Sequence, residues 1–542
     1  MVKRSRKKWF SLIVALLAIL MLAACAAQDT PEIPQLDAPE PAPEAPAPAP
    51  APDAGGPAAE PGERVLRATH AAPDFMDPHF ANSNQTEEIG HMIYDVLIFI
   101  DETLEPNPGL GLAESWSNNG DLTEWTFKLR EGVTFHDGKS LTSEDVVFSY
   151  NRLRDPDVGT ATVTLYANII DIEAVDELTV VFTLENTNPN FLLDLFDYRS
   201  KIVDASVEDF NTTFNGTGPF MVERYVPEDR LVLTRNSNYW AHDAQGNQLP
   251  LLDGIEMIFM DESARVDALR AGQVDYIMAL GPASIPLIEA DPDTEMVLNL
   301  SNRHWIIRMR SDEGPASDVR VRQALKAGTD RAELLEGALG GRGALGRDTP
   351  IGPFFDVKGY YLDVPPIERD VERAKELLAD AGYADGLDIT LYVLEMSPAT
   401  ELATIWEQQM AEIGVNVNIQ LTPGSVYYGD GLWMEVEFGI TEWGPRAHPL
   451  MYINQAYVTG ASNNETHWSN ARIDELAGLI EVEIDPVQRA AYYHEVQEIF
   501  MDEGPIIAPF FEDLRWAVRS NVGGIVFRSN YVLDLRFMHF TD

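Results

Sequence analysis

The sequence is poor in cysteine and in positive charge. It has one cysteine in 542 residues, and its 39 basic residues stand against 87 acidic ones, for a formal net charge of −48. A single cysteine excludes an intramolecular disulfide framework and a cysteine-rich zinc or iron–sulfur site. The acidity excludes a general nucleic-acid binder, because phosphate binding needs clustered lysine and arginine. We therefore expect no nucleic-acid partner.

Common catalytic motifs are also missing. The chain has no G-x-S-x-G pattern, no H-E-x-x-H pattern and no P-loop. Its ten histidines include no pair spaced four residues apart, which disfavours a dedicated metal site. We therefore expect a protein that is not an enzyme, with no cofactor and no metal.

The chain begins with a basic segment followed by a short apolar run. Five lysines and arginines lie within the first eight residues, and residues 10–22 are an apolar run of 13. A membrane-spanning helix needs about 20 apolar residues, so this pattern is typical of an export signal. The run leads into Leu22-Ala23-Ala24-Cys25, which resembles a bacterial lipobox. We predict a lipoprotein signal peptide over 1–24 and lipidation of Cys25; an ordinary signal peptide is the alternative.

Residues 25–61 are rich in proline and alanine, carry acidic but no basic side chains, and contain no aromatic residue. Such a segment cannot bury enough apolar surface to fold. We predict a disordered linker that holds a folded body away from the membrane.

From residue 64 onward, strand patterns and helix patterns alternate. Alternating apolar residues over 124–130 and 178–184 predict half-buried strands. Thr142 with Asp145 predicts a capped helix start, and Asp485-Pro486 predicts another. These patterns favour the α/β class with several sheets.

Seven segments of this body form an ordered set. They are LAESW at 112–116, WTFKLREGV at 125–133, FHDG at 135–138, LTSEDV at 141–146, GTGPF at 216–220, VRVRQAL at 319–325 and AKELLADAGY at 374–383. In order and spacing the set resembles the family 5 extracellular solute-binding proteins, the peptide and nickel receptors of ABC importers. The resemblance covers about residues 64–542. In the GTGPF motif, Gly216 and Gly218 are predicted to supply positive-φ backbone beside a hinge.

The resemblance implies a two-lobed, periplasmic-binding-protein-like α/β fold of type II with an extra subdomain, joined by a two-strand hinge. By analogy, lobe I comprises 62–100, 212–297 and 517–542, the inserted subdomain 101–211, and lobe II 298–516. The lobes of such receptors close over a ligand in the cleft. The resemblance further implies an exported monomer, lipid-anchored to the cell membrane and extracytoplasmic or periplasmic, that delivers its ligand to a membrane permease heterodimer.

In the peptide-binding branch of the family, a tryptophan followed three residues later by aspartate marks the ligand site. Here Trp443 is followed by Arg446 at that position. A guanidinium group suits a carboxylate, sulfonate or phosphate; the alternative is an arginine that faces solvent or pairs with a local acid. Glu442 is a candidate for the missing acid. We expect Trp443 on the cleft wall.

Three further residues complete the predicted ligand-binding set. Trp305 follows the predicted start of lobe II and offers an apolar wall or a stacking platform. Asn82 and Asn84 follow the Asp77-Pro78 element, where the family often places a polar ligand loop. Their amides suit peptide groups and sugar hydroxyls alike.

The function predicted from the sequence is that of an ABC-importer substrate-binding lipoprotein for an oligopeptide or dipeptide. Two alternatives stay open. One is a receptor of the same fold for an oligosaccharide or for another anionic or chelated solute. The other is a receptor that senses its ligand rather than delivering it for transport.

Overall fold

The computed structural model describes residues 64–541 except 74, 82, 279, 366, 430 and 528–532. The strands are β1 (Val65–His70), β2 (Ala113–Asn118), β3 (Glu124–Leu129), β4 (Ile169–Asp176), β5 (Thr179–Leu184), β6 (Phe220–Val226), β7 (Arg230–Arg235), β8 (Gly254–Phe259), β9 (Tyr276–Ile277), β10 (Thr294–Met309), β11 (Ala344–Leu345), β12 (Leu387–Leu394), β13 (Val415–Thr422), β14 (Phe438–Trp443), β15 (Ile506–Arg519), β16 (Val522–Gly523) and β17 (His539–Phe540).

The α-helices are α1 (Asn84–Ile93), α2 (Ser143–Arg154), α3 (Phe191–Asp194), α4 (Glu262–Arg270), α5 (Ile285–Glu289), α6 (Val319–Ala327), α7 (Arg331–Leu339), α8 (Val371–Asp380), α9 (Ala399–Glu412), α10 (Pro449–Tyr452), α11 (Ala471–Val482) and α12 (Pro486–Glu503). Within the described residues, no helix is both long enough and apolar enough to cross a bilayer. Cys25 and the predicted linker lie outside this part of the chain.

Two long strands connect the lobes at the centre of the largest sheet. Its order is β13-β12-β14-β10-β15-β9-β1-β8-β7-β6, and β11 adds to β15. The antiparallel ladder of β10 and β15 runs from the Thr294–Arg519 pair to the Arg308–Ile506 pair. The late half of β10 pairs with β14 in the second lobe, and the late half of β15 pairs with β9 in the first. This is the predicted two-strand hinge.

Each lobe has parallel strands next to this central pair. In the first lobe β1 is parallel to β8 and β9, and in the second lobe β12 is parallel to β13 and β14. β15 is buried along most of its length, although Glu512, Asp513, Arg515 and Arg519 interrupt its apolar sequence. The predicted residue limits of the lobes and of the inserted subdomain stay predictions.

A separate antiparallel sheet, in the order β2-β3-β5-β4, lies in the segment between α1 and β6. The two strands and the capped helix predicted for this segment are confirmed. Thr142 and Asp145 form a capping box at the start of α2, with the Asp145 carboxylate accepting from the Thr142 N–H at 3.0 Å. The predicted start of α12 is also confirmed, since Asp485 caps the helix and Pro486 is its first residue.

The structure contradicts the conformation predicted for Gly216 and Gly218, because neither has a positive φ. Their backbone passes directly against the end of α1 instead. A Cβ on Gly216 would lie 1.9 Å from the carbonyl oxygen of Ile93, and one on Gly218 would lie 2.5 Å from its carbonyl carbon. The motif needs glycine for close approach, not for left-handed backbone.

We expect Gly218→Ala to lower the free energy of unfolding by about 1–3 kcal/mol, since the new methyl group meets backbone that cannot move aside. Urea denaturation measures this. The matched control is Gly478→Ala in α11, where an added Cβ has no neighbour within 4 Å. The control variant should have a free energy of unfolding about 1 kcal/mol higher, because alanine has a higher helix propensity than glycine by about that amount. An unchanged midpoint for Gly218→Ala would contradict the close approach.

Candidate functional site

A cavity of about 230 Å³ lies between the lobes, beside the two crossing strands. Met278 and Gly281 line it from the first lobe, Met396 and Pro398 line it from the second, and Trp305 lines it from β10. The residues from the two lobes follow the carboxyl ends of β9 and β12. Open parallel sheets bind ligands at this edge, which makes the cavity the candidate ligand site.

Trp305 is fully buried where it borders the cavity. Its indole Nε1–H donates a hydrogen bond to the carboxylate of Glu512 on β15. The bond joins the two crossing strands at the cavity and fixes the orientation of the ring. Of the predicted site residues, Trp305 is the one that lines this cavity.

β15 contributes a buried guanidinium group to the same cavity. Arg515 is only 5% exposed, and its Nε and Nη2 have no hydrogen-bond acceptor among the described residues. Its Nη1 lies 3.8 Å from Oε2 of Glu512, a distance beyond hydrogen-bonding range. Burial is the strongest influence on Arg515 and lowers its pKa below the ordinary value. The cavity therefore contains a cation whose donors are not satisfied within the described part of the chain.

Arg303 of β10 is the second guanidinium group at the cavity. Its Nη2 lies 2.7 Å from Oε1 of Glu442, which belongs to β14. Trp305 is the register partner of Glu442 in the β10–β14 ladder. The structure thus brings the predicted Glu442 next to the cavity, where it is ion-paired with Arg303.

Trp443 follows Glu442 directly but belongs to a different environment. Neighbouring strand residues point to opposite faces of a sheet. Trp443 is 4% exposed and packs in a buried apolar cluster with Tyr452 and Phe196. It is not among the residues that line the cavity of about 230 Å³. The sequence prediction placed Glu442 and Trp443 in one site, and the alternation of the strand separates them.

The indole of Trp443 is anchored by a buried carboxylate. Its Nε1–H donates to Oε1 of Glu465 at 2.9 Å, and Thr441 donates to Oε2 at 2.6 Å. Arg308 lies 3.3 Å from the same carboxylate. Burial raises the pKa of Glu465, although these partners oppose the shift. The group is a polar network within the core.

Arg446 lies near Trp443 and is half-buried. Its Nε donates to Oε1 of Gln455 at 3.2 Å, and its Nη1 donates to the carbonyl oxygens of the two preceding residues at 3.2 and 3.0 Å. The guanidinium carbon lies 5.8 Å from the ring centre of Trp443 and 5.7 Å from that of Tyr452. Among the described residues, no carboxylate lies within 4 Å of it. Arg446 is therefore held by neutral oxygens and aromatic rings.

Sequence reasoning missed the role of Asn302, which fixes the position of Arg446. The Nδ2–H of Asn302 donates to the carbonyl of Arg446 at 2.7 Å, and Oδ1 accepts from the backbone N–H of Arg446 at 2.9 Å. Sequence reasoning also missed Arg515. The sequence did offer a signal for this residue, because charged residues interrupt the apolar run of β15.

The predicted asparagine pair stays a prediction. Asn82 lies outside the described residues, and Asn84 is the first residue of α1, which Ser83 caps. The preceding Asp77 is part of the scaffold, because it pairs with Arg152 at 2.5 Å. In the part of the chain that the structure describes, no three His, Cys, Asp or Glu side chains cluster in a way that could hold a metal ion.

Comparison with protein families identifies this architecture. The model described as "Bacterial extracellular solute-binding proteins, family 5 Middle" matches residues 107–465, more than half of the chain. The chain belongs to this family. Family 5 proteins are receptors rather than enzymes, so the expectation that the chain is not an enzyme is confirmed.

Individual relatives agree with the family assignment. Di/tripeptide-binding protein 2 of Pseudomonas aeruginosa is 28% identical over 84% of this chain and 91% of its own length. The glutathione-binding protein GsiB of Salmonella typhimurium is 27% identical over 83% of this chain and 89% of its own. The solved structure of HbpA2 from Haemophilus parasuis superposes with a TM-score of 0.76 at 23% identity, over 88% of this chain and all of that chain. The predicted two-lobed family 5 fold is confirmed.

We expect Trp443→Ala to lower the free energy of unfolding of the ligand-free protein by about 3–5 kcal/mol, because it empties a buried site and removes a donor from Glu465. Chemical denaturation measures this. The control is Trp116→Ala on β2, a partly exposed tryptophan for which the loss should be smaller. If ligand binding were abolished while stability stayed unchanged, Trp443 would belong to the cleft wall instead.

Proposed function

We propose that this family 5 protein is the substrate-binding lipoprotein of an ABC importer. It captures a short peptide in the interlobe cavity and delivers it to a membrane permease heterodimer. The observation that carries the proposal is the cavity, which both lobes line and in which guanidinium and carboxylate side chains meet. The relatives named for di/tripeptides and for glutathione, which match most of this chain, support the same ligand class.

The charges that line the cavity suit a zwitterion. Arg303 and Arg515 provide positive charge for a carboxylate, while Glu262, Glu512 and Asp513 provide negative charge for an amine. The cavity measures about 230 Å³, below the usual range of about 300–1,000 Å³ for ligand pockets, and this favours a short peptide over a long one.

Side chains from the second lobe and from the segment inserted in the first also meet directly. The His448 ring, from the loop after β14, lies 2.9 Å from Oδ1 of Asp194 in α3. A contact of this kind, between the second lobe and the segment inserted in the first, stabilises the closed form that a permease recognises.

A second candidate is a receptor for an anionic solute other than a peptide. The observation that favours it is Arg446, whose guanidinium group has no carboxylate partner among the described residues. The residue therefore stays a candidate ligand group, together with Trp443, Glu442 and Trp305. Sensing in place of import remains the alternative role for either ligand class.

Ligand identity is tested on protein purified without denaturation. We expect mass spectrometry of the released ligand to show short peptides, and calorimetry to show binding of di- and tripeptides but not of neutral oligosaccharides. A released glycan, or tight binding of a sugar with no response to peptides, would replace the proposal with an oligosaccharide receptor of the same fold. A released anionic solute that is not a peptide would favour the second candidate. Loss of labelled-peptide uptake in cells that lack the protein would separate import from sensing.

The lipid anchor is tested at Cys25. We expect wild-type protein to incorporate labelled fatty acid and to fractionate with membranes, and Cys25→Ala to do neither. Ala27→Ser, two residues beyond the cysteine, is the matched control and should behave as the wild type. Absence of label from the wild-type protein would favour the ordinary signal peptide.

A further inference from the structure

The turn between α11 and α12 exposes three large apolar side chains within six residues. Val482 is 48% exposed, Ile484 58% and Val487 78%. Elsewhere in the described residues, no stretch of six residues exposes three large apolar side chains to a similar extent. Single apolar residues are normal on a protein surface, but a group of them marks an interaction site. We call this surface, formed by Val482, Ile484 and Val487, the turn patch.

The local fold does not require apolar residues in the turn patch. Ile480 and Tyr493, on the buried faces of the same two helices, belong to a core cluster that contains none of the three patch residues. An apolar residue directly before a helix cap often packs on the fourth residue of the helix. Ile484 precedes the cap of α12, but the fourth residue of that helix is Arg489. Neither core packing nor capping therefore explains the patch.

Hydrogen bonds hold the turn in one conformation. Asp485 caps α12 by accepting from the backbone N–H of Val487 at 2.9 Å, and the Glu483 carboxylate accepts from the N–H of Asp485 at 2.9 Å. The Nε of Arg489 donates to the carbonyl oxygen of Glu483 at 2.9 Å. The turn patch is therefore preorganised, which lowers the entropic cost of binding a partner.

The turn patch borders the contact between the second lobe and the segment inserted in the first. Arg489, two residues beyond Val487, donates from Nη1 to Oδ1 of Asn190 at 3.3 Å. Asn190 is the N-cap of α3, the helix whose Asp194 pairs with His448. Separation of the lobes would therefore change the surface that a partner on the turn patch meets.

The charge around the turn patch restricts what can cover it. Residues 481–488 include three carboxylates, those of Glu481, Glu483 and Asp485, and no basic side chain. An anionic lipid surface would repel these carboxylates. In a symmetric pair of copies the same surface meets itself, so the carboxylates of one copy would face those of the other. The charge favours a different protein, whose apolar docking site has a basic rim.

We propose that the turn patch is the docking surface for the integral membrane protein that receives the ligand-loaded receptor. That protein presents apolar side chains to Val482, Ile484 and Val487, and lysine or arginine side chains to the carboxylates around them. The inference rests on the proposed function, under which the partner is the permease, and deepens it by naming the surface that the permease contacts.

Photo-cross-linking in cells identifies what covers the turn patch. The photoreactive residue is introduced as Val487→p-benzoylphenylalanine, and the control position is Val175 on β4, which is 56% exposed. We expect position 487 to cross-link to an integral membrane protein, identified by mass spectrometry as a permease subunit, and position 175 not to do so. A cross-link only to a second copy of this chain or to lipid, or no cross-link at all, would overturn the inference.

Substitutions test whether the turn patch is needed for delivery. Ile484→Ser combined with Val487→Ser removes exposed apolar area and leaves the core intact. We expect uptake of a labelled tripeptide to fall at least about tenfold, as loss of central interface contacts allows, while the purified variant binds the same tripeptide as the wild type does. Glu481→Lys reverses a charge of the rim and should lower uptake by slowing association.

Matched controls lie on β4 of the inserted segment. Ile170→Ser combined with Val175→Ser removes two side chains that are each 56% exposed, and Glu173→Lys reverses an exposed charge on the same strand. Neither control should change uptake. Normal uptake by the variant that carries Ile484→Ser and Val487→Ser would overturn the inference.

The two experiments separate the docking surface from the proposed function. If cells with the wild-type protein take up no peptide, the import function fails, and the cross-link from position 487 decides the inference by itself. A cross-link to an integral membrane protein other than a permease would then retain the docking surface for a sensing role. Absence of any such cross-link would overturn it.

Discussion

The antiparallel ladder between β10 and β15 is the constraint on which the rest of the structure depends. Each strand starts in one lobe and ends in the other, so the ladder fixes both the hinge and the line along which the lobes meet. Trp305 and Glu512 join the two strands at the cavity. The same strands position Arg303 and Arg515 there. The candidate ligand site is therefore built on these two strands and is completed by loops from the two lobes.

Local signals in the sequence predicted local structure well. The strands of the small antiparallel sheet and the starts of α2 and α12 follow from alternation and from capping residues, which act within a few positions. The two-lobed arrangement came from the family resemblance, since no periodicity predicts it.

The site was predicted less completely. Trp305 lines the cavity and Glu442 is ion-paired with its Arg303, whereas Trp443 lies on the other face of β14, and its role in ligand binding stays a prediction. Arg515 was missed because its surroundings come from distant segments: Trp305 and Glu512, which both line the cavity with it, are 207 positions apart.

The strong negative charge of the chain and its buried arginines act over different distances. Surface charge is screened beyond about 8–10 Å at physiological salt, so a net charge of −48 mainly affects solubility and the approach of ligands. A guanidinium group inside a cavity acts over hydrogen-bond distances in a medium of low polarity, where its effect is much larger. An acidic protein can therefore select an anionic group without attracting anions in general.

The exchange of strands between the lobes also determines the order in which the protein can fold. In the first lobe, β9 has β1 on one side and the late half of β15 on the other. That half-strand is among the last segments to be synthesised, more than 200 residues after β9. Until it arrives, the sheet of the first lobe has an open edge and lacks its link to β10, so neither lobe can be completed from the N-terminal half alone. Long-range pairing of this kind is slow to form. The stabilisation that comes from closing the central sheet is therefore gained only when nearly all of the chain has been made, although the separate sheet of β2, β3, β4 and β5 does not depend on β15.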